Sequence, residues 1–186
     1  MDFFEQNGLI PDERFLALVF LLVAIILPAF ITIRSKDRNR RLRKKIERGK
    51  YIYWQDFCED WIIEKKTGNM SGKGYKYETY PGCYVIKLFD DLILDGNYKK
   101  YENIYIGQSL NVCQRVHNHL LGKGKGDVYA DIKYGYEAYV QIIPCSERDL
   151  NKLEKELIEC YDATDSYNVT KGGATVRDQK RKLFRK

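Results

Sequence analysis

The chain has 186 residues, a formal net charge of +6 and 44% hydrophobic residues, which fits one globular domain of ordinary size with basic extensions. An odd number of cysteines without a Cys-x-x-Cys pair argues against a disulfide-stapled secreted fold, and only two histidines argue against a zinc site. The cysteines are most simply free core thiols in a reducing compartment; they are Cys58, Cys83, Cys113, Cys145 and Cys160.

A stretch near the N-terminus is long and apolar enough to cross a membrane. Phe15 to Ile33 is nineteen residues without a charge, about 28 Å as a helix, which spans a bilayer core. Pro28 is tolerable there as a kink. A cleaved signal peptide is the alternative, but the leading residues 1–14 are acidic instead of basic and the apolar run is longer than usual. We therefore expect a transmembrane helix over 15–33.

The charges on the two sides of this helix predict its orientation. Residues 34–50 hold ten lysines and arginines against two acids, whereas residues 1–14 hold one arginine against four acids. The positive-inside rule then predicts a single-pass protein of the cytoplasmic membrane, with an extracytoplasmic N-terminus and the rest in the cytoplasm. The basic juxtamembrane segment 34–50 can bind anionic lipid or attract DNA. The basic C-terminal tail, 174–186, is the better nucleic-acid candidate, since residues 51–170 are net acidic.

Residues 51–80 predict an amphipathic helix and a linker. Apolar residues recur at helical spacing, namely Trp54, Phe57, Cys58, Trp61 and Ile62. This helix can continue the preceding basic stretch. Its apolar face is expected to pack on the domain core or on a partner chain, and lying on the membrane surface is the alternative. Gly68 to Gly74 would supply a flexible hinge.

Three strands are predicted beyond this linker. Gly82 to Ile86 and Asn103 to Gly107 are short apolar runs separated by the turn Asp95-Gly96-Asn97, so they are expected to pair. Side chains of a strand alternate between faces, so two paired strands could present Tyr84 and Tyr105 on one surface. Glu137 to Ile143 is the third strand. The expected fold class is α/β (α+β), a small three-stranded antiparallel sheet flanked by helices.

Two helices carry further candidate residues. Asn111 to Leu121 predicts a helix with Arg115 and His119 four residues apart on one face, a phosphate clamp and a proton carrier. Ser146 with Asp149 predicts a capping box that opens a helix running to about Tyr161. Glu154 lies on or beside the buried stripe of that helix, where a lone carboxylate is costly unless a cation pairs with it.

A glycine-rich basic loop follows the first of these helices. Its backbone amides and its lysines, Lys123 and Lys125, could approach a phosphate backbone, or the loop is a solvated connector. Tyr129, Tyr134 and Tyr136 come next. They could stack on unpaired bases or pack beneath the third strand.

Taken in order, these motifs resemble the GIY-YIG nuclease superfamily. The resemblance is carried by Gly82-Cys83-Tyr84 and Tyr105-Ile106-Gly107, followed at the expected intervals by Arg115, His119, Glu154 and Asn168. It covers residues 81–173, about half of the chain. Cys83 replaces the usual isoleucine at a position that should face the sheet interior, so the exchange is conservative.

The resemblance implies a role for each residue. Glu154 would hold one divalent cation, Mg²⁺ or Mn²⁺, as the metal ligand. Arg115 would neutralise charge at the phosphorus in the transition state. Tyr84 and Tyr105 would position or deprotonate the attacking water, and His119 would assist the proton transfers. Which tyrosine is the base stays open.

The resemblance implies that the substrate is DNA, which Gly107 and Asn168 would also contact. Lys123 and Lys125 of the basic loop are the further candidates for contact with DNA. The sequence therefore predicts a membrane-anchored endonuclease that hydrolyses phosphodiester bonds with one divalent metal ion. The alternative is a membrane-tethered module of the same fold that binds nucleic acid or a partner and does not cleave. The oligomeric state stays open.

Overall fold

A computed structural model of the chain describes residues 13–67, 80–124 and 126–168. The chain divides between Arg40 and Arg41 into two compact units. The first contains most of a long N-terminal helix, and the second contains the whole sheet. The expected hinge at Gly68 to Gly74 and the tail 174–186 lie outside the described residues.

The first helix, α1, runs from Glu13 to Glu47 and is 35 residues long. Within the described residues it is the one helix long and apolar enough to cross a membrane, by length and composition. Its large apolar side chains between Phe15 and Ile33 are exposed. Pro28 lies inside the helix, and Thr32 Oγ1 donates to the Pro28 carbonyl at 2.8 Å. The helix continues through most of the basic segment instead of ending at the predicted boundary.

The sheet has four antiparallel strands, one more than the sequence predicted. The strands are β1 (Ile52–Tyr53), β2 (Gly82–Phe89), β3 (Asn103–Ser109) and β4 (Glu137–Pro144), in the order β1-β4-β2-β3. The expectation of three strands was wrong because β1 has only two residues, too few to show strand alternation in the sequence. The other three strands lie where they were expected. β2 is central and buried along its whole length.

The remaining α-helices are α2 (Trp54–Thr67), α3 (Val112–Leu120), α4 (Gly126–Lys133) and α5 (Leu150–Tyr161), and a short 3₁₀ helix over Ala163–Asp165 follows α5. The suggestion that α2 continues the basic stretch was wrong, because β1 separates it from α1. Phe57 and Cys58 of α2 enter the domain core, as expected, whereas Ile62 is 41% exposed. The sequence did not predict α4.

The sheet has a core on each face. Tyr84, Ile86 and Leu88 of β2 pack with α2 and α3 on one face. Cys83 and Val85 pack with α5 on the other, so Cys83 is an interior residue, as its replacement of isoleucine required. The last turns of α1 belong to this second core.

Two contacts fix the end of α1 there. Ile46 is only 4% exposed, and its carbonyl accepts a hydrogen bond of 2.9 Å from Gln141 Nε2. Arg43 Nε donates a hydrogen bond of 2.9 Å to Glu47 Oε1, and the guanidinium lies over the ring of Tyr161. Part of the basic juxtamembrane segment is therefore a structural part of the domain.

Candidate active site

The two motif tyrosines share one face of the sheet. In the β2–β3 register Tyr84 opposes Gly107 and Ile86 opposes Tyr105, so alternation puts both phenols on the same side. Their ring centroids are 6.1 Å apart. Tyr84 is only 1% exposed, whereas Tyr105 is partly exposed.

Gly107 leaves the space that the Tyr84 ring occupies. A Cβ built on Gly107 would overlap the phenol of Tyr84 at its hydroxyl end. The absence of a side chain opposite Tyr84 therefore lets the ring lie flat over the neighbouring strand. This close approach explains a glycine inside a strand, where it is otherwise unfavourable.

α3 brings a histidine to the tyrosines. Asn111 caps the helix by accepting from the Gln114 amide, and Val116 and Leu120 bury its apolar face. This anchoring carries His119 into the core, where its Nε2 lies 2.9 Å from the Tyr84 hydroxyl. The His119 and Tyr105 rings are 4.9 Å apart.

Arg115 lies one helical turn before His119, on the side of α3 that reaches solvent. Burial raises the pKa of Tyr84 well above its ordinary value, and the Tyr105 phenol raises it further, while the Arg115 guanidinium acts in the opposite direction. The guanidinium is therefore close enough to influence the Tyr84 hydroxyl. Four of the five predicted catalytic residues meet in this cluster: Tyr84, Tyr105, Arg115 and His119.

Glu154, the fifth, lies on the other face of the sheet. It projects from α5, and its Oε2 accepts a hydrogen bond of 2.8 Å from Gln108 Nε2. Gln108 also donates to Asn151 Oδ1 at 2.7 Å. Because Gly107 touches Tyr84 and Gln108 touches Glu154, the two groups of side chains meet at consecutive residues of β3.

Asn168 binds backbone. Its Oδ1 accepts from the Ile106 amide at 2.9 Å, and its Nδ2 donates to the Ile106 carbonyl at 2.7 Å. The Ser166 hydroxyl accepts from the Ile104 amide at 2.9 Å, and the Tyr167 backbone amide donates to the Ile104 carbonyl at 3.3 Å. Residues 166–168 thus cover the outer edge of β3, and this pairing positions the strand that carries Tyr105. A contact between Asn168 and substrate stays a prediction.

The glycine-rich loop closes the histidine end of the cluster. Gly122 has a φ of +75° and ends α3, and a Cβ built on Gly124 would overlap the His119 ring. Lys123 is exposed, and Lys125 lies outside the described residues.

The three tyrosines after this loop differ in their surroundings. Tyr136 packs against the core beside the β4 strand, whereas Tyr134 is 86% exposed. Tyr129 lies against Gly122, with the Lys133 ammonium 5.6 Å from its ring. Of the three, Tyr134 has the exposure that base stacking requires.

The sequence did not single out Gln108, Asn151 or His117. The first two could have been found, since Gln108 follows Gly107 on the opposite strand face and Asn151 lies three residues before Glu154 on one helix face.

His117 stacks on Trp61 with ring centroids 3.9 Å apart. Burial and the charge of Lys123 lower its pKa. It is a packing residue, unlike its neighbour His119.

The donor set at Glu154 fits a hard cation held jointly with substrate. Among the described residues no three His, Cys, Asp or Glu side chains are grouped to hold a metal ion. Mg²⁺ is commonly bound through one or two carboxylates, water and substrate phosphate, so a single carboxylate beside amide groups is compatible with it.

Comparison of the chain with family models, curated proteins and solved structures found no match.

Proposed function

We propose that the protein is a membrane-anchored GIY-YIG endonuclease that hydrolyses DNA phosphodiester bonds with one divalent metal ion. The observation that carries the proposal is the hydrogen bond between Tyr84 and His119, with Tyr105 against the same imidazole. A buried phenol, a buried imidazole and an accessible guanidinium on one surface provide groups for proton transfer and for phosphate binding.

Burial assigns different tasks to the two tyrosines. Because its pKa is raised well above the ordinary value, Tyr84 stays a neutral phenol, and its hydrogen bond to His119 Nε2 orients the imidazole. Tyr105 is partly exposed and is the phenol that can reach a water molecule. In the proposed mechanism Tyr105 aligns the attacking water and His119 takes part in moving its proton.

Arg115 and Glu154 act on the phosphate. The exposed guanidinium of Arg115 can donate two parallel hydrogen bonds to phosphate oxygens and oppose the negative charge that grows in the transition state. Gln108 fixes the carboxylate of Glu154 through one oxygen. When bound there, Mg²⁺ or Mn²⁺ would stabilise charge on the leaving oxygen. A phosphodiester would cross the strand at Gly107 and Gln108.

The alternative is a tethered module that binds nucleic acid or a partner without cleaving it. The observation that favours it is the placement of Glu154 across the sheet from the tyrosine cluster. In that case Arg115 and Lys123 would serve only as docking cations.

The decisive experiment is a cleavage assay on the full chain in detergent micelles with supercoiled, branched and single-stranded DNA, with and without Mg²⁺. We expect Mg²⁺-dependent cleavage that falls about 100-fold in Arg115→Lys and Glu154→Gln, with binding largely kept. Exposed residues of the same kind supply the controls, Arg148→Lys and Glu159→Gln, which should cleave normally. Binding without cleavage by the wild type would support the alternative, and unchanged turnover of Glu154→Gln would refute its role as metal ligand.

We further propose that α1 places the nuclease unit on the cytoplasmic face of the membrane. The support is the uncharged run to Ile33 followed by ten basic residues against two acids. The protein should then resist carbonate extraction, and a reporter fused after Lys186 should be active only in the cytoplasm. A processed protein in the soluble fraction would instead identify the apolar run as a signal peptide.

A further inference from the structure

A cavity of about 350 Å³ lies at the β1 edge of the sheet, at the opposite edge from β3 and the tyrosine–histidine cluster. It is bounded by β1, the first turns of α2, the loop before Tyr98 and Tyr139 of β4. Its volume falls in the range of small-molecule sites, about 300–1,000 Å³. None of the residues proposed for DNA cleavage lines it.

Four tyrosine rings form one continuous side of this cavity. Tyr51 stacks on Tyr98 with centroids 4.5 Å apart, Tyr98 lies 5.1 Å from Tyr139, and Tyr139 lies 5.5 Å from Tyr53. The Ile93 amide donates to the Tyr139 hydroxyl at 2.9 Å, which fixes the loop against the rings. The wall is therefore aromatic and held in place by its own contacts.

Carboxylates of α2 also line the cavity. Asp60 is only 9% exposed, and its Oδ2 is buried without a hydrogen-bond partner in the described part of the chain. Asp56, one turn earlier, also lines the cavity, and the lining includes one basic residue, the exposed Lys50. Burying a carboxylate oxygen without a partner is costly, and a positive charge in the adjoining cavity would offset that cost at Asp60.

We propose that this cavity binds an organic cation, a guanidinium or alkylammonium group, with Asp60 as its counter-ion and the tyrosine rings as its walls. Aromatic faces attract such cations most strongly where water is excluded. The carboxylates repel phosphate, so the site is not a continuation of a DNA path. The apolar faces of the tyrosine rings suit an organic cation better than a hydrated metal ion.

The site is tested by titrating the full chain in nonionic detergent micelles with methylguanidinium, butylammonium and an end-capped peptide in which arginine is the one charged residue. We expect saturable shifts of tyrosine ring resonances, with a dissociation constant of about 1 mM or tighter for the best probe. Asp60→Asn keeps the shape and removes the charge, and should weaken binding at least tenfold. Glu59→Gln is the matched control, because Glu59 is the exposed neighbour on the same helix and does not line the cavity.

Two further comparisons keep the result interpretable. 1-Butanol has nearly the shape of butylammonium without its charge and should bind at least tenfold more weakly, a test that needs no variant. Tighter binding of the arginine peptide than of methylguanidinium identifies a polypeptide side chain as the natural ligand, and the reverse order identifies a free cation. Absence of saturable binding by all three cations, equal affinity for the alcohol, or unchanged affinity in a folded Asp60→Asn variant would overturn the proposal.

Discussion

Gly107→Ala is the substitution for which the structure gives the sharpest expectation. The added methyl group would overlap the Tyr84 phenol, which is buried and bonded to His119. A ring at the surface could swing aside, but this one is enclosed by the core. The alanine must therefore push the ring off His119 or move β3 away from β2.

The cost can be built from two contributions. Overpacking a filled core costs about 1–3 kcal/mol, and loss of a buried hydrogen bond adds about 1 kcal/mol. We expect Gly107→Ala to lower the free energy of unfolding by about 2–4 kcal/mol. Tyr84→Phe removes the hydroxyl, the atom nearest the added Cβ. The alanine should therefore cost less in that background, which makes the two changes non-additive.

Urea unfolding of the full chain in micelles, followed by near-ultraviolet circular dichroism, measures these differences. Gly126→Ala is the matched control, since within the described part of the chain no atom beyond its chain neighbours and its own helix backbone lies within 4 Å of a Cβ built there, and it should be neutral or slightly stabilising. A cost for Gly107→Ala below about 0.5 kcal/mol, or full additivity with Tyr84→Phe, would refute the reasoning about this contact.

Further predictions concern the second histidine, a buried lysine and the end of α1. His119→Gln should reduce the cleavage rate about 100-fold. His117→Gln should leave the cleavage rate unchanged and lower the free energy of unfolding by about 1 kcal/mol, because the stacking on Trp61 is lost. Equal effects of the two substitutions on the cleavage rate would contradict this division of roles. Burial lowers the pKa of Lys87 to about 8 from 10.5, so between these values the unfolded chain binds the extra proton. The wild type should therefore gain stability over Lys87→Met as pH rises from about 8 to 10.5, by up to about 3 kcal/mol, and a flat difference would show that the ammonium is not held in the core. A variant of residues 41–186 should fold, while 51–186 should be less stable by about 2–5 kcal/mol because it lacks the last turns of α1. Equal melting temperatures of the two variants would show that these turns contribute nothing.

The sequence predicted the three long strands and the helices α3 and α5 because each carries a strong local signal. β2 is an apolar run with turn residues on either side, and Asn111 is a good N-cap residue whose side chain does cap α3. At α5 the predicted capping box of Ser146 and Asp149 was less accurate. Ser146 and Asp149 form a turn with a side-chain bond of 2.6 Å, but Asp149 makes no capping bond to the helix.

Features that depend on distant contacts could not be predicted. β1 is a strand only because it pairs with β4, and its two residues are too few to indicate a strand in the sequence. Lys87 is an equally clear case, since a lysine in a strand normally points to solvent. Its ammonium is instead buried, donates to the Tyr98 carbonyl at 2.7 Å and lies about 5 Å from three tyrosine rings, those of Tyr51, Tyr101 and Tyr161.

The candidate site was predicted residue by residue, but its division between two faces was not. Spacing along the chain cannot show on which side of a sheet a helix packs, and α3 and α5 pack on opposite sides. The consequence is that β3 is the element shared by both halves. Its consecutive residues Gly107 and Gln108 contact Tyr84 and Glu154 respectively, and Asn168 fixes the same strand through Ile106. Small shifts of β3 should therefore change the distance between the tyrosine cluster and the carboxylate, and with it any cleavage that needs both.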